Sequence, residues 1–408
     1  MRGYILAAGE GTRMRPLTAN TPKPLLPVAG KPFIEHALDA LRANDIERVA
    51  ILIGWQGRAV KEYLGDGSRF GIEIEYLEQA ERKGTAHAVG KAVDIFKDPF
   101  LCLNGDVITS RETVAGVIQR YRETKKSVMS LTRVPDPHRY GVVMVENGMV
   151  KEVHEKPQSP KSDLINAGVY LFTPQVFDAI EDTGTSLRGE YELTDSIEIL
   201  SMEEGVCAYI STEEWIDVGR PWDLLRANAI LMQKIEPRID GEVQAGATLD
   251  GRVRIGEGTV VRSGAYIIGP GIIGKGCEIG PNCYIRPCTY IADWAKVGHA
   301  CEVKNSIIME GSHVPHHNYL GDSIIGRRCN LGAGTKVANL RLDGRNIMVT
   351  IKGGRIDTGL RKLGAIIGDD VETGINVSIN VGAIISEGCH IGPGAVVGGY
   401  LDPGTRVS

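Results

Sequence analysis

The sequence has no apolar run long enough to span a membrane, and the short apolar stretch after Met1-Arg2 is too brief for a signal-peptide core. Both absences point to a cytoplasmic protein with no membrane partner. A basic excess is missing too: the net charge is −5, which leaves no footprint for nucleic acid. The eight cysteines include no CxxC pair, so the spacing that signals zinc is absent. A chain of 408 residues has no need of disulfide staples either. Nor does the N-terminal half offer a Ser–His–Asp or Cys–His arrangement for nucleophilic catalysis. What remains is an ordinary soluble composition, 42% hydrophobic and 24% charged, at a length that calls for two domains.

The two halves differ in texture. Up to about Gln233, short apolar runs alternate with helical spacing: Tyr4–Ala7 and Val49–Ile53 read as strands, Pro32–Leu41 as a helix, and Phe100–Leu103 as a strand ending in Asn104-Gly105-Asp106. That alternation predicts an α/β domain with a mixed, mostly parallel sheet flanked by helices. Ligands of such sheets bind at the carboxyl ends of the strands. From Val243 an aliphatic residue recurs every six positions, through Leu249, Ile255, Val261, Ile267, Ile273, Ile279, Ile285, Ile291, Val297 and Val303 to Met309. A period of six fits neither a helix nor a simple strand. It fits a left-handed parallel β-helix of hexapeptide repeats, in which stacked coils enclose a continuous apolar column.

The register is expected to break at His313–Asp322 and again over Arg341–Lys362, resuming with Ile325, Leu331 and Val337 and then with Ile367, Ile379, Ile385, Ile391 and Val397. Interruptions of a repeat are where loops project and function tends to sit. Cys277, Cys283, Cys301, Cys329 and Cys389 each stand four positions after an aliphatic column residue, in a slot shared with Ala265, Ala295 and Ala383. They read as small buried hydrophobes. The expected division is residues 1–228, a linker helix 229–242, and a β-helix 243–408.

Several motifs carry chemistry. Leu6-Ala7-Ala8-Gly9-Glu10-Gly11-Thr12-Arg13 follows the first strand, and a glycine-rich turn lets backbone N–H groups approach phosphate oxygens closely while an arginine adds charge-assisted bonds. Thr21-Pro22-Lys23-Pro24-Leu25 comes next, then Gln79 with Lys83-Gly84-Thr85-Ala86-His87-Ala88, in which His87 reads as structural. Asp106 and, far downstream, Asp217 in Trp215-Ile216-Asp217 offer the hard oxygen ligands that Mg²⁺ takes beside substrate phosphates.

Residues Met1–Asn228 resemble the nucleotidyltransferases that activate sugar 1-phosphates. The resemblance implies that Leu6, Ala8, Gly9, Gly11, Thr12 and Arg13 hold the nucleoside triphosphate, that Lys23 neutralises its phosphates, and that Gln79, Gly84 and Thr85 read the base. It implies that Asp106 and Asp217 bind Mg²⁺, which would neutralise charge at the α-phosphorus. Gly141, Glu155 and Asn166 would contact the sugar, and Lys156 the sugar phosphate. The attacking phosphate oxygen is already anionic, so positioning and electrostatics suffice without a general base.

The second half is similar to the acetyltransferase half of the bifunctional N-acetylglucosamine-1-phosphate uridylyltransferases, through Ile285-Arg286-Pro287, Glu302-Val303-Lys304, His316, Tyr319-Leu320-Gly321-Asp322, Asn330-Leu331-Gly332-Ala333-Gly334 and Asn339. The resemblance implies that Arg286 and Lys304 grip a sugar phosphate, that Tyr319 and Asn330 position the acceptor, that His316 is the general base, and that Asn339 faces acetyl-CoA as co-substrate. The chain departs from the family after Asp343-Gly344, where lysines give way to Arg345, Asn346 and Met348, with Lys352 and Arg355 further on. A three-sided prism offers flat faces that pack around a threefold axis, so a homotrimer is expected.

Two readings compete with a bifunctional enzyme. One is a monofunctional glucose-1-phosphate thymidylyltransferase or mannose-1-phosphate guanylyltransferase with a structural β-helix. The other is a non-catalytic sensor of nucleotide sugars, against which Arg13, Lys23, Asp106 and Asp217 together argue.

Overall fold

The computed structural model describes residues 1–351 and 353–408, so Lys352 lies outside the described residues. The chain forms two compact units that interleave in sequence. One comprises Met1–Glu10, Pro22–Leu25 and Phe33–Asp217; the other comprises Gly11–Thr21, Leu26–Pro32 and Val218–Ser408.

The first unit is built on a nine-stranded mixed sheet. Its strands are β1 (Arg2–Ala7), β2 (Arg48–Ile53), β3 (Glu73–Glu78), β4 (Phe100–Asn104), β6 (Val128–Arg133), β7 (Gly141–Glu146), β8 (Met149–Glu155), β9 (Leu164–Phe172) and β10 (Cys207–Ile210). A separate two-stranded ladder joins β5 (Val107–Ile108) to β11 (Ile216–Asp217). Along the large sheet the order is β3-β2-β1-β4-β9-β6-β10-β8-β7. Strands β3, β2, β1 and β4 are parallel, whereas β9 runs antiparallel to both its neighbours. The four parallel strands are connected through helices, among them α1 (Phe33–Arg42), α2 (Gly57–Leu64) and α3 (Thr85–Gly90). Their apolar runs are buried on both faces: Tyr4, Ala50, Leu52 and Cys102 lie in one core, and Ile5, Val49, Ile51, Leu101 and Leu103 in the other. This places the ends of β1 and β4, with Gly9 and Asp106 just beyond them, at the carboxyl edge of the sheet.

The second unit is a left-handed parallel β-helix of three long sheets, with nine, nine and eight strands. The helix that precedes it spans Asp223–Met232, and the coils begin at once with Arg238–Ile239 and Glu242–Val243. The expected linker helix 229–242 is therefore helical only to Met232; the remainder is already coil. Inside the prism runs the column read from the sequence, from Val253 and Ile255 to Ile391 and Val397. Burying each aliphatic side chain contributes about 1.5–3 kcal/mol.

One expectation is corrected here. The register does not break at His313–Asp322: Val314 and Leu320 continue the column fully buried, on strands His313–His316 and Tyr319–Gly321. The inward residue after Val303 is Ile308 rather than Met309. The cause is a coil shortened by one residue. Glu278 pairs with Lys296, eighteen residues on, but Lys296 pairs with His313 and Tyr290 with Ile307, only seventeen on. Glu302 with Tyr319 and Ile307 with Ile324 repeat the shorter step. Each deletion falls at the corner leading from the third sheet to the first, at Lys304–Ser306 and at Gly321–Ser323. The second expected break is present and uses the same corner. Between Ala338 and Leu363 the chain leaves the coil, forms a hairpin of Met348–Ile351 and Gly354–Asp357, and closes through a bridge between Leu340 and Lys362.

The outward face of the first sheet is apolar as well, with Ile272, Ile307, Ile324, Ile366 and Ile384 in register and all buried. Segments Gly11–Thr21 and Leu26–Pro32 belong to this unit and pack with it. The Ala29 N–H donates to Asn228 Oδ1 at 3.0 Å, and Asn228 Nδ2 donates to the Cys288 carbonyl at 3.0 Å. Arg327 Nη1 donates to the Thr21 hydroxyl at 2.9 Å.

All eight cysteines are free, and the five of the column are buried. Burial pushes the Cys277 thiol up to about 11 and those of Cys283 and Cys329 up to about 12, so each stays protonated and non-nucleophilic at neutral pH. Among the described residues no group of three or more His, Cys, Asp or Glu could hold a metal ion. Mild aromatic disulfide reagents should accordingly leave these five thiols unmodified in the native protein and titrate them on denaturation. Stoichiometric labelling of the folded chain, or zinc co-purifying with it, would contradict a packing role.

Candidate active sites

In the first unit, the carboxyl edge is assembled by close backbone approaches that only glycine permits. Gly105 donates its N–H to the Leu6 carbonyl at 2.9 Å, and a Cβ there would lie 2.4 Å from that oxygen. Gly54 meets the Ala8 carbonyl in the same way, at 2.5 Å. These contacts pin the ends of β1, β2 and β4 together and set Asp106 at the edge. Lys23, in a short 3-10 turn, reaches the Asp106 carboxylate at 3.2 Å; its side chain is 11% exposed against 43% for the aspartate. Asp217 pairs with Val107 in the β5–β11 ladder, next to Asp106. The structure thus seats Lys23 on Asp106 and sets Asp217 on the strand paired with the next residue, Val107. Two half-exposed carboxylates beside a lysine suit a small hard cation that keeps its waters and takes phosphate oxygens.

The segment expected to read the base is laced to the loop before the helix Leu193–Glu203. The Tyr191 N–H donates to the Lys83 carbonyl at 2.7 Å, the Ala86 N–H donates to the Tyr191 carbonyl at 3.0 Å, and Thr85 Oγ1 accepts from the Leu193 N–H at 2.9 Å. Gly84 is required twice over: its φ is +116°, and a Cβ would meet the Tyr191 carbonyl at 2.3 Å. Gln79 is 6% exposed, and its amide nitrogen lies 2.9 Å from His87 Nδ1. Gln79 also lines a cavity of about 270 Å³ with Gly54, Gly57 and Arg58.

The residues expected around the sugar also meet. A Cβ on Gly141 would lie 3.2 Å from Glu155 Oε2 and 3.6 Å from Asn166 Cβ. Asn166 shares its amide with the Tyr170 hydroxyl, and Lys156 Nζ pairs with Glu155 at 2.7 Å. Arg188 was not anticipated: it bridges Glu192, at 2.6 Å, and Glu155, at 3.5 Å. Its only sequence signal is a turn-forming Arg188-Gly189-Glu190.

Gly11, Thr12 and Arg13 fall in the second unit. Gly11 adopts φ +66°, its carbonyl accepts from the Met14 N–H and the Thr18 hydroxyl, each at 2.8 Å, and Arg13 is exposed on the resulting 3-10 turn.

On the β-helix, the shortened corner gathers a polar cluster. Asp322, with its side chain 7% exposed, accepts from Lys304 Nζ at 3.3 Å, Asn305 Nδ2 at 2.8 Å and Asn339 Nδ2 at 2.5 Å. Gly321 leaves room for this, since a Cβ would lie 2.4 Å from Asn339 Nδ2 and 2.7 Å from the Tyr319 hydroxyl. One coil below Tyr319 in the ladder is Glu302, which holds Arg286 at 2.9 Å. Arg286, Lys304, Tyr319 and Asn339 therefore share one edge of the prism with Asp322, to which the sequence reading gave no role. His316 ends the preceding strand, exposed and in register with His299. Asn330 lies on that same second sheet, between His313 and Glu372, so this chain does not gather it with the others. Arg345 is exposed on the inserted segment, where Asp343, held well below the usual carboxylate range by Arg341, accepts from the Arg345 N–H.

Comparison with known proteins gives the family. The Nucleotidyl transferase family model matches residues 2–234, and the GMPPB C-terminal domain model matches residues 267–385. The chain is 41% identical to the "Bifunctional protein GlmU" of Methanocaldococcus jannaschii, with 100% of this chain and 97% of that protein aligned. It is 39% identical to the "Bifunctional sugar-1-phosphate nucleotidylyltransferase/acetyltransferase" of Sulfurisphaera tokodaii, over 97% of each. The chain belongs to this bifunctional family. A crystal structure of a putative glucose-1-phosphate thymidylyltransferase from Bacillus anthracis matches with a TM-score of 0.54 and 34% identity, covering 58% of this chain and 96% of that one. The two relatives extend through the β-helix, so the family is that of enzymes with a second catalytic half rather than of transferases with a structural tail.

The corner cluster makes a specific prediction. Gly321→Ala must displace Asn339 or Tyr319, and a misplacement near 1 Å typically costs about 10²-fold in rate. Acetyl transfer by this variant should fall by that order while pyrophosphate release stays at the wild-type rate. Unchanged acetyl transfer would remove the corner from the active site.

Proposed function

We propose that residues 1–228 transfer a uridylyl group from UTP, with dTTP as an alternative donor, to N-acetylglucosamine 1-phosphate or glucose 1-phosphate. We propose further that residues 243–408 acetylate glucosamine 1-phosphate from acetyl-CoA. The observation that carries the reading is that one chain holds both the Lys23–Asp106–Asp217 grouping and the Arg286–Lys304–Tyr319–Asn339 edge.

In the first reaction, Gly9, Gly11, Thr12 and Arg13, with the backbone of Leu6 and Ala8, hold the triphosphate. Lys23 offsets phosphate charge, and Gln79, Gly84 and Thr85 frame the base. Gly141, Glu155 and Asn166 hold the sugar, and Lys156 its phosphate. Asp106 and Asp217 would hold Mg²⁺, whose chemistry is to neutralise charge on the reacting phosphates. In the second reaction, Arg286 and Lys304 anchor the sugar phosphate, while Tyr319 and Asn330 orient the acceptor. His316 takes the proton that the 2-amine loses as it attacks the thioester, and Asn339 faces acetyl-CoA. Asn330 and His316 stand on a different sheet from Lys304, and a homotrimer, in which a neighbouring prism faces the site, accounts for that separation. Eight free thiols suit a reducing cytoplasm, and no helix among the described residues is long and apolar enough to cross a membrane.

Separable variants test the two-site reading. Asp217→Ala should abolish nucleotidyl transfer and spare acetyl transfer. His316→Ala should lower acetyl transfer by about 10²–10⁴-fold and spare nucleotidyl transfer, with His317→Ala as the control that keeps most activity. Equal loss of both activities in a folded variant would contradict two independent sites. Sedimentation of the dilute wild type should give a trimer; a stable monomer would overturn the assembly.

A further inference from the structure

His87 is half-buried on α3 and is left without a role by the reading above. Its ring nitrogen Nδ1 lies 2.9 Å from the side-chain nitrogen of Gln79. In this orientation the amide nitrogen donates and Nδ1 accepts, so the neutral ring carries its proton on Nε2. Gln79 itself is nearly fully buried, and its backbone N–H is tied to the Ile53 carbonyl at 2.9 Å. With the backbone fixed and one amide hydrogen committed to His87, the carboxamide keeps its two ends in place for as long as the ring holds the Nε2–H tautomer. It presents a free Oε1 acceptor and one remaining N–H donor in a set order.

That order has chemical content. A uracil or thymine edge offers a ring N–H beside a carbonyl oxygen, and cytosine offers a ring nitrogen acceptor beside an amino group. The donor and acceptor sequence is reversed between the two. An unconstrained amide satisfies either by rotating through half a turn; an anchored one satisfies only one. A polar site that would be left unpaired by the wrong partner discriminates far better than an apolar pocket does.

We propose that His87 is a positioning residue that locks the Gln79 amide and so sets the preference for a keto pyrimidine over cytosine. The inference rests on the reading of Gln79 as the base-contacting residue. Protonating the ring would convert Nδ1 into a donor, which can bond only to Oε1, and the amide would turn over. Burial holds the ring below the ordinary histidine range; of the charged groups facing it, Lys91 and Lys83 add to that shift and Glu81 opposes it. The locked, neutral state is thus the one present at neutral pH and above, and it is lost as the pH falls through the depressed value.

The test is the ratio of kcat/KM for UTP to that for CTP, with N-acetylglucosamine 1-phosphate as acceptor, in the full-length wild type and three variants. Thermal unfolding and acetyl transfer serve as checks that each variant is folded. His87→Leu removes the acceptor and should lower the ratio about tenfold or more, mainly through KM. His87→Asn puts an amide oxygen where Nδ1 was and should restore most of it. In the wild type the ratio should also fall as pH is lowered, whereas in His87→Asn it should stay flat. If Gln79→Ala lowers the ratio but folded His87→Leu does not, the positioning role is overturned while the base-reading role stands. If Gln79→Ala leaves the ratio unchanged, the base-reading role itself falls and takes this inference with it.

Discussion

Much of this structure depends on one packing constraint: each side of the β-helix prism must deliver a buried side chain to the interior column, aliphatic at nearly every step, with Thr373 standing in register between Leu331 and Ile391. Ile255, Ile273, Ile291, Ile308, Ile325, Ile367 and Ile385 meet it on the first sheet without interruption. A residue can be removed or inserted only where no column side chain is lost, which means at a corner. The two one-residue deletions, the inserted hairpin and a further shortening before Tyr400, which pairs with Ile384 sixteen residues back, all use the corner from the third sheet to the first; the first coil is instead shortened between Ile239 and Val243. At this corner Asn305 and Asp322 take the left-handed region, as Cys288 does on the unshortened coil before them, and Lys304, Asp322 and Asn339 stack on successive coils. The polar cluster is a consequence of the column's rigidity rather than an exception to it.

The two sites solve different electrostatic problems. Nucleotidyl transfer starts from an anionic nucleophile and a polyanionic donor, so the chain supplies cations and oxygen ligands, with Lys23 already seated on Asp106. Acetyl transfer starts from an amine that must lose a proton, so an exposed histidine at a strand end is apt, and a buried, fully bonded carboxylate such as Asp322 serves to hold Lys304 and Asn339 still. Gly105, Gly84 and Gly321 do the same work in both halves: each gives up a side chain so that backbone or polar groups can approach within a distance no Cβ would allow.

How much of this was legible in the sequence follows from the range of the forces involved. The six-residue period reports a local steric requirement, and it located the column through Val303 and the cysteine slot correctly. Reading failed at Met309 because a single deletion shifts the phase, and a fixed period then misreads a continuous column as a break. Contiguous motifs were visible, but their partners were not. Nothing local says that Arg188 meets Glu155 or that Asp322 is the centre of three amide and ammonium contacts, since those are tertiary ion pairs and hydrogen bonds. The packing of Gly11–Thr21 and Leu26–Pro32 with the β-helix unit was invisible for the same reason, because a continuous N-terminal motif reads as one domain.

The central claim is that one polypeptide performs two consecutive transfers on the same sugar phosphate. The most direct measurement is a mass balance on the purified chain given glucosamine 1-phosphate, acetyl-CoA, UTP and Mg²⁺, with free CoA, pyrophosphate and sugar nucleotide followed together. UDP-N-acetylglucosamine should be the product, with one CoA and one pyrophosphate released per molecule. Pyrophosphate release with no CoA from any hexosamine 1-phosphate would contradict it and leave the β-helix without a catalytic role.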